Sequence, residues 1–487
     1  MGNSDESRAG RALIFKGAQM GVTKLLYLGG TLILGHLLTP NDFGLVAIAT
    51  VAIVTVMTAT DTGMTTALVQ STERDPAIYD VAWTIGLLRG VLVTAVLLVT
   101  APIVGALFGD ERAVYLVRLM AFMPLIASLA SPRLADMMRE LKFASLAVVA
   151  IIAVAIELGL SIALAHWLGG EAIILGKLAG AASSTVTSYL IAPYRPGFRF
   201  SYSLARPLVT FGRWMFAIGL TAVAGDLFLK VVISRQLGVA ALGLFSLADR
   251  LAETPSQLAG EATGAVAFPL YARLRHDVPR LTAALKAHLI GLCFFLLPAT
   301  VLIAVLAQPL QQRILGEAWA GAPSIIVLLA IGYAAEVSFI AVGPLLKAVG
   351  AGRQLFGIEL LQYVALIASV YLLAFPLGLA GAGIARIIAS VVLFVAVAHV
   401  ARTAFGFKVP AFMRSALTLI LLGAIASGLA WLCTWLIAGV VGVVIAVLAG
   451  GGLFLLLAWV TDRPLNIGVQ DCLAVFFPVI ARKRDLS

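Results

Sequence analysis

The sequence predicts an all-α integral membrane protein of about fourteen transmembrane helices, arranged as two pseudo-symmetric six-helix lobes followed by two C-terminal helices. Composition is the first observation. Of 487 residues, 61% are hydrophobic and only 12% charged, whereas charged residues make up about 25% of a soluble globular chain. The second is a recurrence of apolar segments near the roughly twenty residues that cross a bilayer as helix. The third is the placement of Lys and Arg, which gather in alternate connections between those segments.

After a polar stretch at 1–10, expected to be a cytoplasmic tail without fixed structure, the apolar segments run Ile14 to Leu38, Phe43 to Val69, Val81 to Phe108, Val114 to Ala130, Phe143 to Leu168 and Ala172 to Ala192. The first is too long for the core of a cleaved signal peptide and holds Lys24. These six make an N-lobe over 11–193. The basic stretch 194–213, with Arg195, Arg199, Arg206 and Arg213 beside Pro196 and Pro207, reads as a linker on the cytoplasmic membrane surface. The C-lobe over 208–404 follows, with spans from Leu208 to Leu237, Ala241 to Leu270, Ala283 to Leu306, Ala322 to Lys347, Gln354 to Phe375 and Gly378 to Ala404. Two more, Ala411 to Leu436 and Ile437 to Val460, lie within 405–460, and 461–487 reads as an amphipathic cytoplasmic tail.

The formal net charge of +10 is topogenic. No basic patch with interleaved aromatics suggests nucleic acid; instead one side collects Arg74, Arg133, Arg139, Lys142, the linker arginines, Arg273, Arg275, Arg280, Lys347, Arg353, Arg402, Lys408 and Arg414. The other side has Arg112, Arg235 and Arg313, with Arg118 near a helix end. By the positive-inside rule both termini are cytoplasmic. Cys293, Cys433 and Cys472 are far apart, form no CxxC and read as packing residues. The five histidines show no metal-binding spacing, no GxxxxGK[ST] loop offers an ATP site, and the outward loops leave no room for a catalytic domain. The composition therefore points away from an enzyme.

The halves echo each other. LLTPNDFGLVAIA from Leu37 aligns with QLGVAALGLFSLA from Gln236, placing Gly44 on Gly243 and Leu38 on Leu237, and Gly169 and Lys177 recur at the spacing of Gly378 and Arg386. Repeats with even numbers of spans share an orientation and relate by an axis along the membrane normal.

The stretch Leu244 to Gly264, LFSLADRLAETPSQLAGEATG, has membrane-spanning company but is too polar for lipid. At 100° per residue Gly243, Ser246, Arg250, Glu253, Gln257, Glu261 and Gly264 share one face, while Leu247, Leu251, Leu258 and Val266 point elsewhere. An ionised group at the bilayer centre costs roughly 2.5–3.5 kcal/mol, so the stripe must face water or partner helices. Pro255 removes the hydrogen bond to Leu251 and predicts a bend there. In the first span Gly17, Gly21, Lys24, Leu28, Thr31 and Gly35 form a face for a cavity or for a close helix. In the second, Thr50, Thr58, Asp61 and Thr65 form another, with Asp61 a proton or cation site or a partner of Lys24 or Arg250. Asp226 and Lys230 stand at i and i+4, spacing that suits a structural or a functional ion pair. Arg89 suits an anionic headgroup or snorkelling. Glu157, Lys177, Glu336, Glu359 and Arg386 are intramembrane charges expected mostly to pair between helices.

At these residues the sequence resembles the oligosaccharide flippase family, the Wzx/WzxC-type polysaccharide exporters of the MOP superfamily, which also contains MurJ and the MATE exporters. The segments that carry the resemblance are LLTPNDFGLVAIATVAIVTVMTATDTGMTTALVQ from Leu37, SPRLADMMRELKFASLA from Ser131 and LGVAALGLFSLADRLAETPSQLAGEATGAVAFPLYARL from Leu237. It implies the MOP flippase fold, a V-shaped transporter working by alternating access in the bacterial inner membrane. Its implied substrate is undecaprenyl-pyrophosphate-linked oligosaccharide for lipopolysaccharide, capsule or exopolysaccharide, with membrane lipids and polysaccharide polymerases or glycosyltransferases as partners. Lys24, Arg89, Lys230, Arg250 and Gln257 then become substrate residues, the cations for the pyrophosphate and Gln257 for sugars. Asp61, Asp226, Glu253 and Glu261 become candidates for coupling to a Na+ or H+ gradient, with no bound cofactor or metal. Two other readings stay open: a MATE-like cation-coupled exporter of small molecules, and a non-transporting scaffold for polysaccharide assembly.

Overall fold

The computed structural model describes residues 3–61, 68–69, 76–140, 142–201, 213–407, 409–437 and 439–465. Among them the chain is helical throughout, without a strand, and it divides into two compact units, 1–243 and 244–487. Ten helices are long and apolar enough to cross a membrane. Arg74, Arg206, Thr65, Cys472 and nearly all of the amphipathic tail lie outside the described residues.

In the first unit the helices are α1 (Asn3–Leu37), α2 (Pro40–Ala59), α3 (Pro76–Phe108), α4 (Arg112–Met120), α5 (Phe122–Ser128), α6 (Leu134–Arg139), α7 (Phe143–Leu168), α8 (Gly170–Ile191) and α9 (Arg213–Leu237), with the start of α10 (Val239–Leu274). The polar start of the chain belongs to α1, which begins at Asn3. α1 packs on α7, α7 on α8, and α9 on α2 and α3. The segment Val114 to Ala130, expected as one span, is two helices that meet at Ala121. Pro124 explains the break, since it cannot donate to the carbonyl of Met120. Neighbouring side chains satisfy the carbonyls there: Thr94 donates to Ala121 (2.8 Å), Thr185 to Ile126 (2.9 Å) and Tyr189 to Leu129 (2.8 Å).

One end of this unit is organised by the NDFG segment. Thr39 and Asp42 form a capping box at the start of α2. Asp42 also accepts from the backbone N–H of Gly170 at 3.1 Å, so a single carboxylate caps two helices. Asn41 accepts from Arg112, which is held by Asp110 at 2.6 Å. That guanidinium keeps the Asp110 carboxyl below its ordinary range. A Cβ on Gly44 would collide with the carbonyl of Val239, and one on Gly243 with the carbonyl of Pro40. Each aligned glycine thus receives the carbonyl four residues before the other. At the opposite end Arg139 donates to the carbonyls of Leu68 and Val69, and Arg133 to that of Pro193. Arg133 and Arg139 thus lie at the same end of this unit.

In the second unit α10 leads to α11 (Val278–Leu310), α12 (Ala322–Ala335), α13 (Val337–Ala348), α14 (Gly352–Phe405), α15 (Val409–Leu436) and α16 (Gly439–Leu465). α11 packs on α12, α13 and α15, and α15 on α16. α14 is two helices joined at Gly378, where φ is 59° and ψ −142°. Gly169, between α7 and α8, has nearly the same conformation, φ 55° and ψ −131°. Positive φ with strongly negative ψ excludes side chains with a Cβ in practice, so the Gly169/Gly378 repeat seen in sequence is a repeat of backbone shape. α10 runs unbroken through Pro255 and Pro269, and α8 and α10 are not among the ten apolar helices.

The three arginines on the sparsely charged side are used as helix ends. Arg235 donates to the carbonyls of Leu107 and Ala106 at the end of α3, Arg313 to that of Ile437 after α15, and Arg112 bridges Asp110 and Asn41. Arg235 and Arg313 meet main-chain carbonyls at those ends, whereas Arg112 meets the Asp110 carboxylate and the Asn41 side-chain oxygen. Cys293 and Cys433 are free thiols. Because Asp42 caps two helices, Asp42→Ala should lower stability by about 1–2 kcal/mol and Asp42→Asn by less; the thermal unfolding midpoint of the purified protein in detergent measures both.

Candidate functional site

The residues of the predicted polar stripe of α10 differ in exposure: Gly243 and the Ser246 hydroxyl are buried. Leu247 and Leu251 are buried, whereas Arg250, Gln257 and Glu261 are exposed along one flank. Pro255 leaves that flank without a break in the helix. Glu253 is half-buried beside Asp249, with the Gln257 side chain in hydrogen-bond reach.

Asp249 was not singled out by the spacing argument, yet it anchors the largest polar network among the described residues. Tyr333, on α12, donates to the Asp249 carboxylate at 2.7 Å. The Arg386 guanidinium of α14 lies 4.6 Å from the centre of the Tyr333 ring and 3.1 Å from Glu336, at the junction of α12 and α13. Glu336 also accepts from Ser390 at 2.9 Å and from Gln362 at 3.1 Å. Three carboxylates, Asp249, Glu253 and Glu336, therefore share one arginine within the second unit. Arg386 has a buried Nε without a hydrogen-bond partner, so its charge is balanced through its terminal nitrogens and the Tyr333 face. The sequence signals were there: Asp249 and Glu253 stand at i and i+4, and Tyr333 and Glu336 at i and i+3.

In the first unit the corresponding cation is also paired. Lys177 meets Glu157 at 3.2 Å, and Glu157 accepts from Tyr27 of α1 at 2.8 Å. Thus the two repeated cations, eight residues after Gly169 and Gly378, each hold an intramembrane carboxylate. Glu359 is buried on α14.

The remaining candidates fall at separate places. Lys24 is half-buried on α1, below Gly17 and Gly21, whose would-be Cβ positions meet open space. Arg89 donates to the carbonyl of Met57 at 2.8 Å and to Thr60 at 3.4 Å, and lies 4.0 Å from Asp61. It therefore caps the end of α2, with 27% of its side chain exposed and Asp61 63% exposed beside it. Asp226 and Lys230 form an intrahelical pair at 2.8 Å on α9. No group of three or more metal-ligating side chains is found among the described residues.

Removing one member of a buried ion pair leaves the other without compensation, at roughly 3–5 kcal/mol. Arg386→Met should therefore sharply reduce the fraction of monodisperse protein on size exclusion. Adding Glu336→Gln to it should restore much of that fraction, since Ser390 can still donate to the amide oxygen.

The chain is similar to proteins named for polysaccharide biosynthesis and transport. It is 29% identical over 338 residues to the succinoglycan biosynthesis transport protein ExoT of Rhizobium meliloti, covering 68% of each chain. It is 24% identical to the teichuronic acid biosynthesis protein TuaB of Bacillus subtilis over 64% of this chain and 66% of that one. With the lipopolysaccharide biosynthesis protein WzxC of Escherichia coli it shares 22% identity over 61% of each. Among solved structures it resembles the lipid II flippase MurJ in an inward closed conformation, with a TM-score of 0.72, 13% identity, and coverage of 93% of this chain and 99% of that one. An inward-facing MATE-family transporter of the MOP superfamily matches with a TM-score of 0.63 at 17% identity, over 79% of this chain and 94% of that one. These likenesses show the fold predicted from the sequence. A family profile described as polysaccharide biosynthesis protein matches residues 33–323, more than half of the chain, and the protein belongs to that family.

Proposed function

We propose that the protein is a flippase, which moves undecaprenyl-pyrophosphate-linked oligosaccharide from the cytoplasmic to the outer leaflet of the bacterial inner membrane for the synthesis of a surface or secreted polysaccharide. The observation that carries this reading is α10, whose exposed Arg250, Gln257 and Glu261 run along a helix inside a chain otherwise built for lipid. Membership in the polysaccharide biosynthesis family and the MurJ-like fold support it. The substrate has a pyrophosphate, a polar glycan and a long apolar tail, and each needs a different surface. Arg250, Lys24 and Lys230 suit the pyrophosphate, because cations in a poorly hydrated cleft attract it strongly. Gln257 suits sugar hydroxyls. The tail stays in the bilayer, so the charged surface needs to accommodate only the head. Arg89 serves the same phosphate through the part of its guanidinium not engaged by Met57 and Thr60.

No step of flipping breaks a covalent bond, and the relatives named as transport proteins fit a protein without catalytic chemistry. The energy comes from an ion gradient or the membrane potential. Glu253, Glu261, Asp61 and Asp226 are the coupling groups, and Asp249 joins Glu253 among them. Glu253 and Asp249 repel each other when both are ionised, so a proton or Na+ that neutralises one changes the local field. Both termini face the cytoplasm, where the arginine-rich ends meet the anionic leaflet.

In cells lacking the gene, undecaprenyl-linked oligosaccharide should accumulate on the cytoplasmic face, detected by a membrane-impermeant glycan-modifying reagent on spheroplasts and on inverted vesicles. The wild-type gene should reverse this and Arg250→Ala should not, while inserting into the membrane normally. Unchanged sidedness on deletion, with loss of small-molecule efflux, would instead favour a cation-coupled exporter that uses the acidic groups as its main site. In energised vesicles Glu253→Gln should cut the initial flipping rate at least about tenfold and remove its response to ionophores.

A further inference from the structure

At the arginine-rich end of the first unit lies a cavity of about 590 Å³, lined by Tyr79 and Asp80 of α3, Arg133 of the α5–α6 connection, Tyr189 near the end of α8, and Pro193, Tyr194 and Arg195 just after it. None of these residues belongs to the α10 stripe or the Arg386 network.

The walls are fixed. The Tyr79 hydroxyl donates to Asp136 at 2.6 Å, Tyr189 to the carbonyl of Leu129 at 2.8 Å, and Tyr194 to Asp80. Tyr79 belongs to a small core with Leu68, Ile78, Ala82 and Ala135, against which Tyr194 packs. With each hydroxyl spent on the protein, the rings present rigid faces to the cavity. Asp80, its only acid, is tied to Tyr194 and crowded by Gly197. The cations are not spent in the same way. Arg133 donates to the Pro193 carbonyl at 3.3 Å and stands 5.9 Å from the Tyr79 ring centre, and has no carboxylate partner among the described residues. Arg195 is exposed and makes no hydrogen bond or ion pair among the described residues.

The strand of chain that forms the rim shows what the cavity faces. Residues 193–201 lie outside any helix, held by the Thr84 hydroxyl, which accepts from the N–H of Arg199 at 3.1 Å. Phe198 and Phe200 on it are 79% and 67% exposed, and alternate with Arg199. Two exposed phenylalanines at the ends of membrane-length helices belong in the acyl region of a bilayer, and the arginines between them belong at the phosphates. A tyrosine-walled cavity beside them has room for a polar headgroup.

We propose that this cavity is a binding site for an anionic phospholipid of the arginine-side leaflet, such as phosphatidylglycerol, with Arg133 and Arg195 on its phosphate, the tyrosine rings around its headgroup and Phe198 and Phe200 among its acyl chains. The shared chemistry, a phosphate anchored in the bilayer by an apolar tail, is also that of a polyprenyl pyrophosphate, and a test must separate the two. The site does not depend on the transport reading.

The full-length protein in detergent would be given equimolar phosphatidylglycerol and phosphatidylcholine, and separately phosphatidylglycerol with farnesyl pyrophosphate, and bound lipid read by native mass spectrometry. Phosphatidylglycerol should be retained in preference to phosphatidylcholine, and farnesyl pyrophosphate should not displace it. Each arginine near an anionic lipid is worth roughly a fivefold change in binding. Arg195→Gln should therefore weaken retention about fivefold, Arg133→Gln with Arg195→Gln about 25-fold, and Arg195→Lys little. Arg195→Gln alters no contact within the protein, so its result stands even where the double variant folds poorly. Equal retention of both phospholipids, unchanged retention in Arg195→Gln, or displacement by farnesyl pyrophosphate would overturn the proposal.

Discussion

Charge inside a bilayer must be paired or wet, and this constraint shapes most of what is distinctive in the chain. Lys177 is paired by Glu157 and Arg386 by Glu336, each across helices of the same unit. Those cations follow glycines with the same positive-φ geometry, so the repeat conserves both a backbone shape and a charge whose partner comes from elsewhere. Beside these pairs, α10 carries Arg250, Gln257 and Glu261 exposed on one flank. The same constraint explains the arginines that break the topological bias. At the sparsely charged end Arg235 and Arg313 cover helix carbonyls that would otherwise lack partners, so their charge also does a helix cap's work.

The fold class was legible because hydropathy, segment length and the alternation of Lys and Arg are independent signals with one cause, a slab of hydrocarbon about 30 Å thick. What was less legible were the interruptions. Val114 to Ala130 has the length of a span, yet Pro124 divides it, and whether a proline ends a helix or passes through it depends on its surroundings. Here Thr94, Thr185 and Tyr189 donate to carbonyls of the broken segment, while α10 continues past Pro255 without interruption. Sequence alone does not show those neighbours.

The candidate site divides in the same way. The α10 face was readable because helical geometry fixes which residues share a flank. The partners were not, since Tyr333 sits in an apolar run and its hydroxyl becomes meaningful only when α12 brings it to Asp249. Arg89 shows the opposite case. Its position suited a headgroup, and the structure commits part of its guanidinium to the end of α2, a helix end that could be located only once the backbone was known. The NDFG segment had a signal of its own kind, resemblance, and its physical basis is now visible in Asp42, which caps two helices, and in Gly44, which admits the carbonyl of Val239.

The most direct test of the central claim is reconstitution. Purified protein in liposomes that hold a fluorescently labelled, pyrophosphate-linked polyprenyl oligosaccharide would be challenged with a membrane-impermeant quencher, with and without an imposed ion gradient. The account predicts that wild-type protein exposes the inner-leaflet pool to the quencher and that Arg250→Ala, equally folded and reconstituted, does not. Exposure at the same rate in protein-free liposomes, or undiminished exposure with Arg250→Ala, would contradict it.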